Sequence, residues 1–178
     1  MDLGRHFELF AAYNEWMNAK VYEAATRLPL HEIELDRLAY FKSIWGTLNH
    51  IAVGDTLWLQ RFATHPANYA ALEPMRQMET PVALDQMLFT EFAALFAHRK
   101  RLDSIIKDWV AAVTEEDLQH ILAYSTTKGV ATRKRFSALM LHFFNHQTHH
   151  RGQATVLLFQ AGEDVGVTDL LARVPVET

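Results

Sequence analysis

The chain has 178 residues and no cysteine, with 17 Lys+Arg against 21 Asp+Glu, a formal charge of −4 and a pI near 6.2. That length predicts one domain, residues 1–178, with a core that needs no covalent staples. Disulfides, thiolate metal sites and a protein-borne thiol nucleophile are excluded, and the charge balance leaves no basic surplus for nucleic acid.

No apolar run approaches the ~18–20 residues of a membrane span, and Arg5, His6 and Glu8 do not read as a signal peptide. The expectation is a cytoplasmic protein without a membrane partner. Seven glycines and five prolines, with few Val/Ile/Thr runs, favour an all-α chain.

A first helix is predicted from about Asp2 to Leu28, because Phe7, Phe10, Met17, Val21, Ala24 and Leu28 keep 3–4 spacing. Asn14 falls inside that apolar seam, where a hydrogen-bonded core asparagine can fix helix register. Pro29 ends the helix. A second helix runs from about Tyr40 or Ser43 to Phe62, with Ile44, Leu48, Ile51, Trp58 and Phe62 as its stripe. His50 lies on one flank between Thr47 and Gly54, small neighbours that leave room for a ring to reach into a core. Asp55 interrupts the stripe about 140° around from His50, which suits an exposed or ion-paired carboxylate.

Thr80-Pro81 reads as an N-cap followed by proline at the first helical position. A third helix is therefore predicted from there to about Val113, with Glu91 and His98 on its apolar side. Ile121 to Gly129 resembles an extended segment or hairpin and includes Tyr124. A fourth helix runs to Ala161, with Gly162 as its C-cap. Gly152 inside it costs about 1 kcal/mol relative to Ala, and a close helix–helix approach would explain a bare backbone there. Four amphipathic helices predict a four-helix bundle, and the long connections argue against simple up-down-up-down wiring and allow at least one crossover.

Four of the ten histidines lie between His142 and His150. At about 100° per residue, His146 and His150 fall on the core side of the fourth helix, one turn apart. Two imidazoles aimed into a core can share one metal ion, and without a partner they are a burial cost. The pair lacks the glutamate of a metalloprotease helix, since Gln147 stands there. His50 is the best candidate for a third ligand. A three-histidine site with open positions is catalytic in style, because a structural zinc is normally closed by four protein ligands. Neutral imidazoles suit zinc, nickel, copper or iron, and their spacing does not choose among them; zinc or nickel is taken as the first expectation, iron or manganese as the next. His142 and Gln153 are candidates to hydrogen-bond a ligand histidine. Asn14, Asp55, Glu91 and Tyr124 are candidates to orient a substrate.

Asn145-His146-Gln147-Thr148-His149-His150-Arg151-Gly152-Gln153 resembles the signature of the DinB family, in the DinB/YfiT-like superfamily. Tyr13-Asn14-Glu15-Trp16-Met17-Asn18 is similar to that family's opening, with Met17 where alanine is usual. Ser43 to His50, with Asp55 and Trp58, resembles its second helix, and Gly162 followed by Asp169-Leu170-Leu171 resembles its ending. The resemblance implies a four-helix bundle, a homodimer, and a divalent metal held by His50, His146 and His150. It also implies a family named for DNA-damage induction, in which some members are S-transferases or isomerases using a small thiol cosubstrate. Hydrolysis by a metal-activated water, and a non-enzymatic stress-associated metal-binding dimer, are the alternatives. His98 is not expected in the family's third helix.

Overall fold

The computed structural model describes residues 3–176. Its helices are α1 (Leu3–Thr26), α2 (Leu30–Glu34), α3 (Ile44–Phe62), α4 (Glu73–Gln77), α5 (Phe92–Ala111) and α6 (Phe136–Gln160). A two-stranded antiparallel hairpin, β1 (Ile121–Ser125) and β2 (Ala131–Arg135), precedes α6 and pairs Ala123 with Arg133 at its centre. The architecture is all-α, and none of the helices is long and apolar enough to cross a membrane.

The four long helices form a bundle. α1 packs mainly on α5 and α6, and α3 packs on α6 and α5. The consecutive pairs α1/α3 and α5/α6 therefore face each other across the core, as a crossover connection requires. The core cluster runs the length of the bundle, from Phe7 and Met17 through Leu48 and Ile51 to Leu102, Trp109, Phe143 and Leu158. One end holds an aromatic stack in which Phe62 meets Trp109 at 4.9 Å and Phe136 at 5.4 Å.

Charged side chains also enter this core. Arg99 is fully buried and pairs with Asp55 and, at 2.8 Å, with Asp103. Asn18 and Asn14 donate to Asp103 at 2.8 and 3.3 Å, and Arg151 donates to Asn14. All four long helices contribute, and two arginines balance two aspartates, so no net charge is buried. This balance meets the condition under which buried ions are tolerated.

Ser43 caps α3 by accepting from the Gly46 N–H at 3.0 Å. Gly162 closes α6 with φ +90°, the left-handed conformation that glycine adopts without strain. Two expectations are corrected. The third long helix does not start at Thr80-Pro81; α5 starts at Phe92 and ends at Ala111. Residues 80–91 are instead irregular, because Asn49 draws their backbone onto α3, donating to the Gln86 carbonyl at 2.6 Å and accepting from the Leu88 N–H at 2.9 Å. Gly152 makes no close helix approach either. It is exposed, and a Cβ there would meet nothing within 4 Å. The close approach belongs to Gly54, where a Cβ would sit 2.8 Å from Cε1 of His146.

Candidate metal centre

α3 and α6 lie side by side and bring three imidazoles together. His50, His146 and His150 each offer one ring nitrogen, and the three nitrogens lie within 4.8 Å of one another. The ring centroids of His146 and His150 are 4.4 Å apart, as are those of His50 and His150. The i, i+4 spacing on α6 stacks two of the rings on one face. The bare backbone at Gly54, one turn after His50, admits the ring of His146 between the helices.

Two of the three rings have their tautomer set. His50 Nδ1 lies 2.8 Å from the Leu84 carbonyl, which can only accept, so Nδ1 carries the proton and Nε2 is bare. His150 Nδ1 lies 2.8 Å from Oε1 of Gln153, while the amide nitrogen of Gln153 faces His149 Nε2 at 3.3 Å. That amide orientation also leaves His150 Nε2 bare. The two bare nitrogens face each other at 3.2 Å. Two acceptor lone pairs at that distance repel, and a cation between them removes the conflict. Two imidazoles on one ion with metal–nitrogen bonds of about 2.0–2.1 Å and tetrahedral angles would stand roughly 3.3 Å apart, so the spacing fits.

The electrostatics point the same way. Burial lowers the His50 pKa to about 4, with the neighbouring His150 adding to the effect against the raising influence of the Leu84 carbonyl. Burial, and after it the four nearby histidines His150, His50, His142 and His149, lower His146 to about 3. Burial also lowers His150. All three rings are therefore neutral near pH 7, the form that ligates a metal.

Phe41 closes one side. Its ring stacks on His50 at 3.7 Å and meets His150 edge-on at 5.6 Å. The loop that presents it carries Leu38 at φ +59° and Lys42 at φ +65°. Nothing in the local pattern around residue 41 announced this contact. The open side is a cavity of about 210 Å³, where His50, His146 and Gly54 meet Trp58, Arg61 and Tyr124.

The remaining sequence candidates separate by place. Gln153 holds His150 as described. His142 is exposed, with its ring 5.1 Å from Trp58 and 5.9 Å from His146, and it lines the cavity. Tyr124, on β1, lines the cavity and packs on Trp58 at 5.3 Å. Asn14 and Asp55 lie in the buried ion network. Glu91 is exposed at the start of α5. His98 packs on Phe89 at 5.1 Å and borders a different cavity, beside Thr56 and Met78.

The sequence model of the DinB family matches residues 3–176. Protein DinB of Bacillus subtilis (strain 168) is 26% identical over 170 residues, which span 92% of this chain and 90% of that relative. No solved structure gives a significant match.

Proposed function

The chain belongs to the DinB family, and from that premise we propose that it binds one divalent metal ion through His50, His146 and His150 and works as a metal-dependent enzyme on a small external nucleophile. The observation that carries this reading is the pair of bare Nε2 atoms facing each other at 3.2 Å. Each is held in that state by a partner on its far nitrogen, Leu84 for His50 and Gln153 for His150. Such outer partners orient ligand histidines and raise their basicity.

An ion held there supplies Lewis acidity, which lowers the pKa of a thiol or water that reaches it. The protein's own contribution is positional. Three imidazoles leave coordination positions free, where a structural zinc would be closed by a fourth protein ligand. Phe41 excludes water from one side, and the cavity beside Trp58 and Tyr124 leaves the other side open. The chain contains no cysteine, so a thiol would come from a cosubstrate. S-transfer with such a thiol is our first reading, and hydrolysis on the same site is the second. The buried network already ties all four long helices together, which favours a catalytic ion over one that merely holds helices. We include in the proposal a cytoplasmic homodimer, readable by sedimentation.

The test is elemental analysis of tag-free protein purified without chelator, beside His50→Ala, His146→Ala and His150→Ala. About one ion per chain is expected in the parent, and none in the three variants, with their helical spectra retained. Full metal content in any variant removes that ligand from the assignment. Turnover that appears without added thiol would decide for hydrolysis.

A further inference from the structure

The cavity next to the three histidines does not end at Trp58. It continues into a second groove of about 400 Å³, and Arg61, Tyr124, Thr126 and Thr127 line both. Arg61 stands at the junction. It is eleven residues beyond His50 on α3, which at about 100° per residue puts it within roughly 20° of the same face. The guanidinium leans back along α3 over Trp58, three residues earlier, as helical side chains do. Its Cζ lies 4.7 Å from the Trp58 ring centre and 5.2 Å from that of Tyr124.

This guanidinium makes no hydrogen bond and no ion pair with any described residue; its contacts are the two rings. Every other arginine that reaches the interior of the bundle is paired, Arg99 with two aspartates and Arg151 with Asn14. Arg61 is half-buried, and burial lowers its pKa against the opposing influence of Tyr124. A partly desolvated, stacked guanidinium with five free donors is a fork for a planar anion. Lys134 reinforces the sign: it and Arg61 are the positive charges that act on His142 at the same mouth.

We infer that Arg61 is the anion-recognising residue of this site and that its ligands are small organic carboxylates. The carboxylate pairs with Arg61, and the reacting end reaches toward the histidines; the two backbone positions are roughly 16 Å apart along α3, a span that the backward lean of the Arg61 side chain shortens. The inference rests on the proposed metal site for the ligand's far end, but the Arg61 contact is measurable without it.

The experiment is calorimetric titration of metal-loaded and metal-free protein with 3-mercaptopropionate and with its neutral counterpart 3-mercaptopropan-1-ol. The proteins are the parent, Arg61→Gln and Lys134→Gln, with metal content read in parallel. The parent is expected to prefer the carboxylate by about tenfold or more. Arg61→Gln is expected to remove that preference while leaving the alcohol's affinity and the metal content unchanged. Lys134→Gln is expected to reduce the preference by less than about twofold. No preference in the parent, a preference that survives Arg61→Gln, or an equal loss in Lys134→Gln each overturns the inference. An Arg61-dependent preference in protein that binds no metal would support the inference and refute the metal site.

Discussion

Gly54→Ala sets two consequences of one methyl group against each other. The added Cβ would sit 2.8 Å from Cε1, 3.4 Å from Nδ1 and 3.7 Å from Nε2 of His146. Carbon atoms pack at about 3.5–4.0 Å, so the ring must retreat by roughly 0.7–1.2 Å. His146 is half-buried and can rotate outward, so the metal-free fold tolerates the change. Alanine in a helix interior is favoured over glycine by about 1 kcal/mol, and the metal-free melting temperature is therefore expected to hold or rise by about 2–4 °C. Metal sites tolerate errors of only about 0.2 Å in ligand position. Affinity is expected to fall about 10–100-fold, roughly 1.4–2.8 kcal/mol. The assay pairs calorimetric metal titration with thermal melting of chelated protein. Unchanged affinity beside a raised melting temperature would refute the argument that Gly54 makes room for a ligand.

The other predictions address the surroundings of the site. Asn49→Ala removes both side-chain bonds to residues 86 and 88; a loss of about 1–3 kcal/mol, read as a melting drop of several degrees, is expected together with weaker metal binding through His50. A melting point equal to the parent's would show that residues 80–91 hold themselves. Gly152→Ala, at an exposed helical position with nothing nearby, should stabilise by about 0.5–1 kcal/mol, and a lower melting temperature would count against this placement. The histidine pKa values give a pH prediction for chelated protein. His50 and His146 have folded values of about 4 and 3, against the ordinary histidine value of 6.5 that the unfolded chain keeps. As pH falls below 6.5 the unfolded chain takes up their protons first, so stability is full above that pH and is lost toward pH 4. Melting curves at pH 7.5 and 5 should differ more in the parent than in a His50→Gln/His146→Gln double variant; equal slopes would mean that other groups carry the acid sensitivity.

The four long helices and the histidine pair were legible because both rest on local spacing. Apolar residues at 3–4 intervals mark a helix wherever they occur, and positions 146 and 150 share a face in any α-helix. Residues 80–91 were misread because the signal that decides them is not local. Thr80-Pro81 carries start-of-helix chemistry, but the Asn49 side chain, 37 and 39 residues before its partners Gln86 and Leu88, ties the segment to α3 instead. Arg99, Asp103 and Arg151 carried no signal of their burial, since a sequence shows each charge and not its partner across the bundle. Asn14 and Asp55, polar residues that interrupt apolar stripes, were the visible traces of that network. Gly152 could have been placed correctly: it lies about 200° around α6 from His150, away from the core. Arg61 could also have been found, on the face of α3 that carries His50.

One partner of the site is not a side chain at all. The proton on His50 is held by the carbonyl of Leu84, a group that every amino acid supplies. Alanine scanning through residues 80–91 would replace each side chain there and leave this oxygen in place, so the segment would score as silent at position 84 while still setting which nitrogen of His50 faces inward. The contact becomes visible only to chemistry on the main chain. Replacing Asp85 with its α-hydroxy acid turns the 84–85 amide into an ester and weakens that carbonyl as an acceptor. Substitution tolerance along this stretch is thus a poor guide to its importance. A relative could carry an unrelated sequence there and present the same oxygen to the same ring.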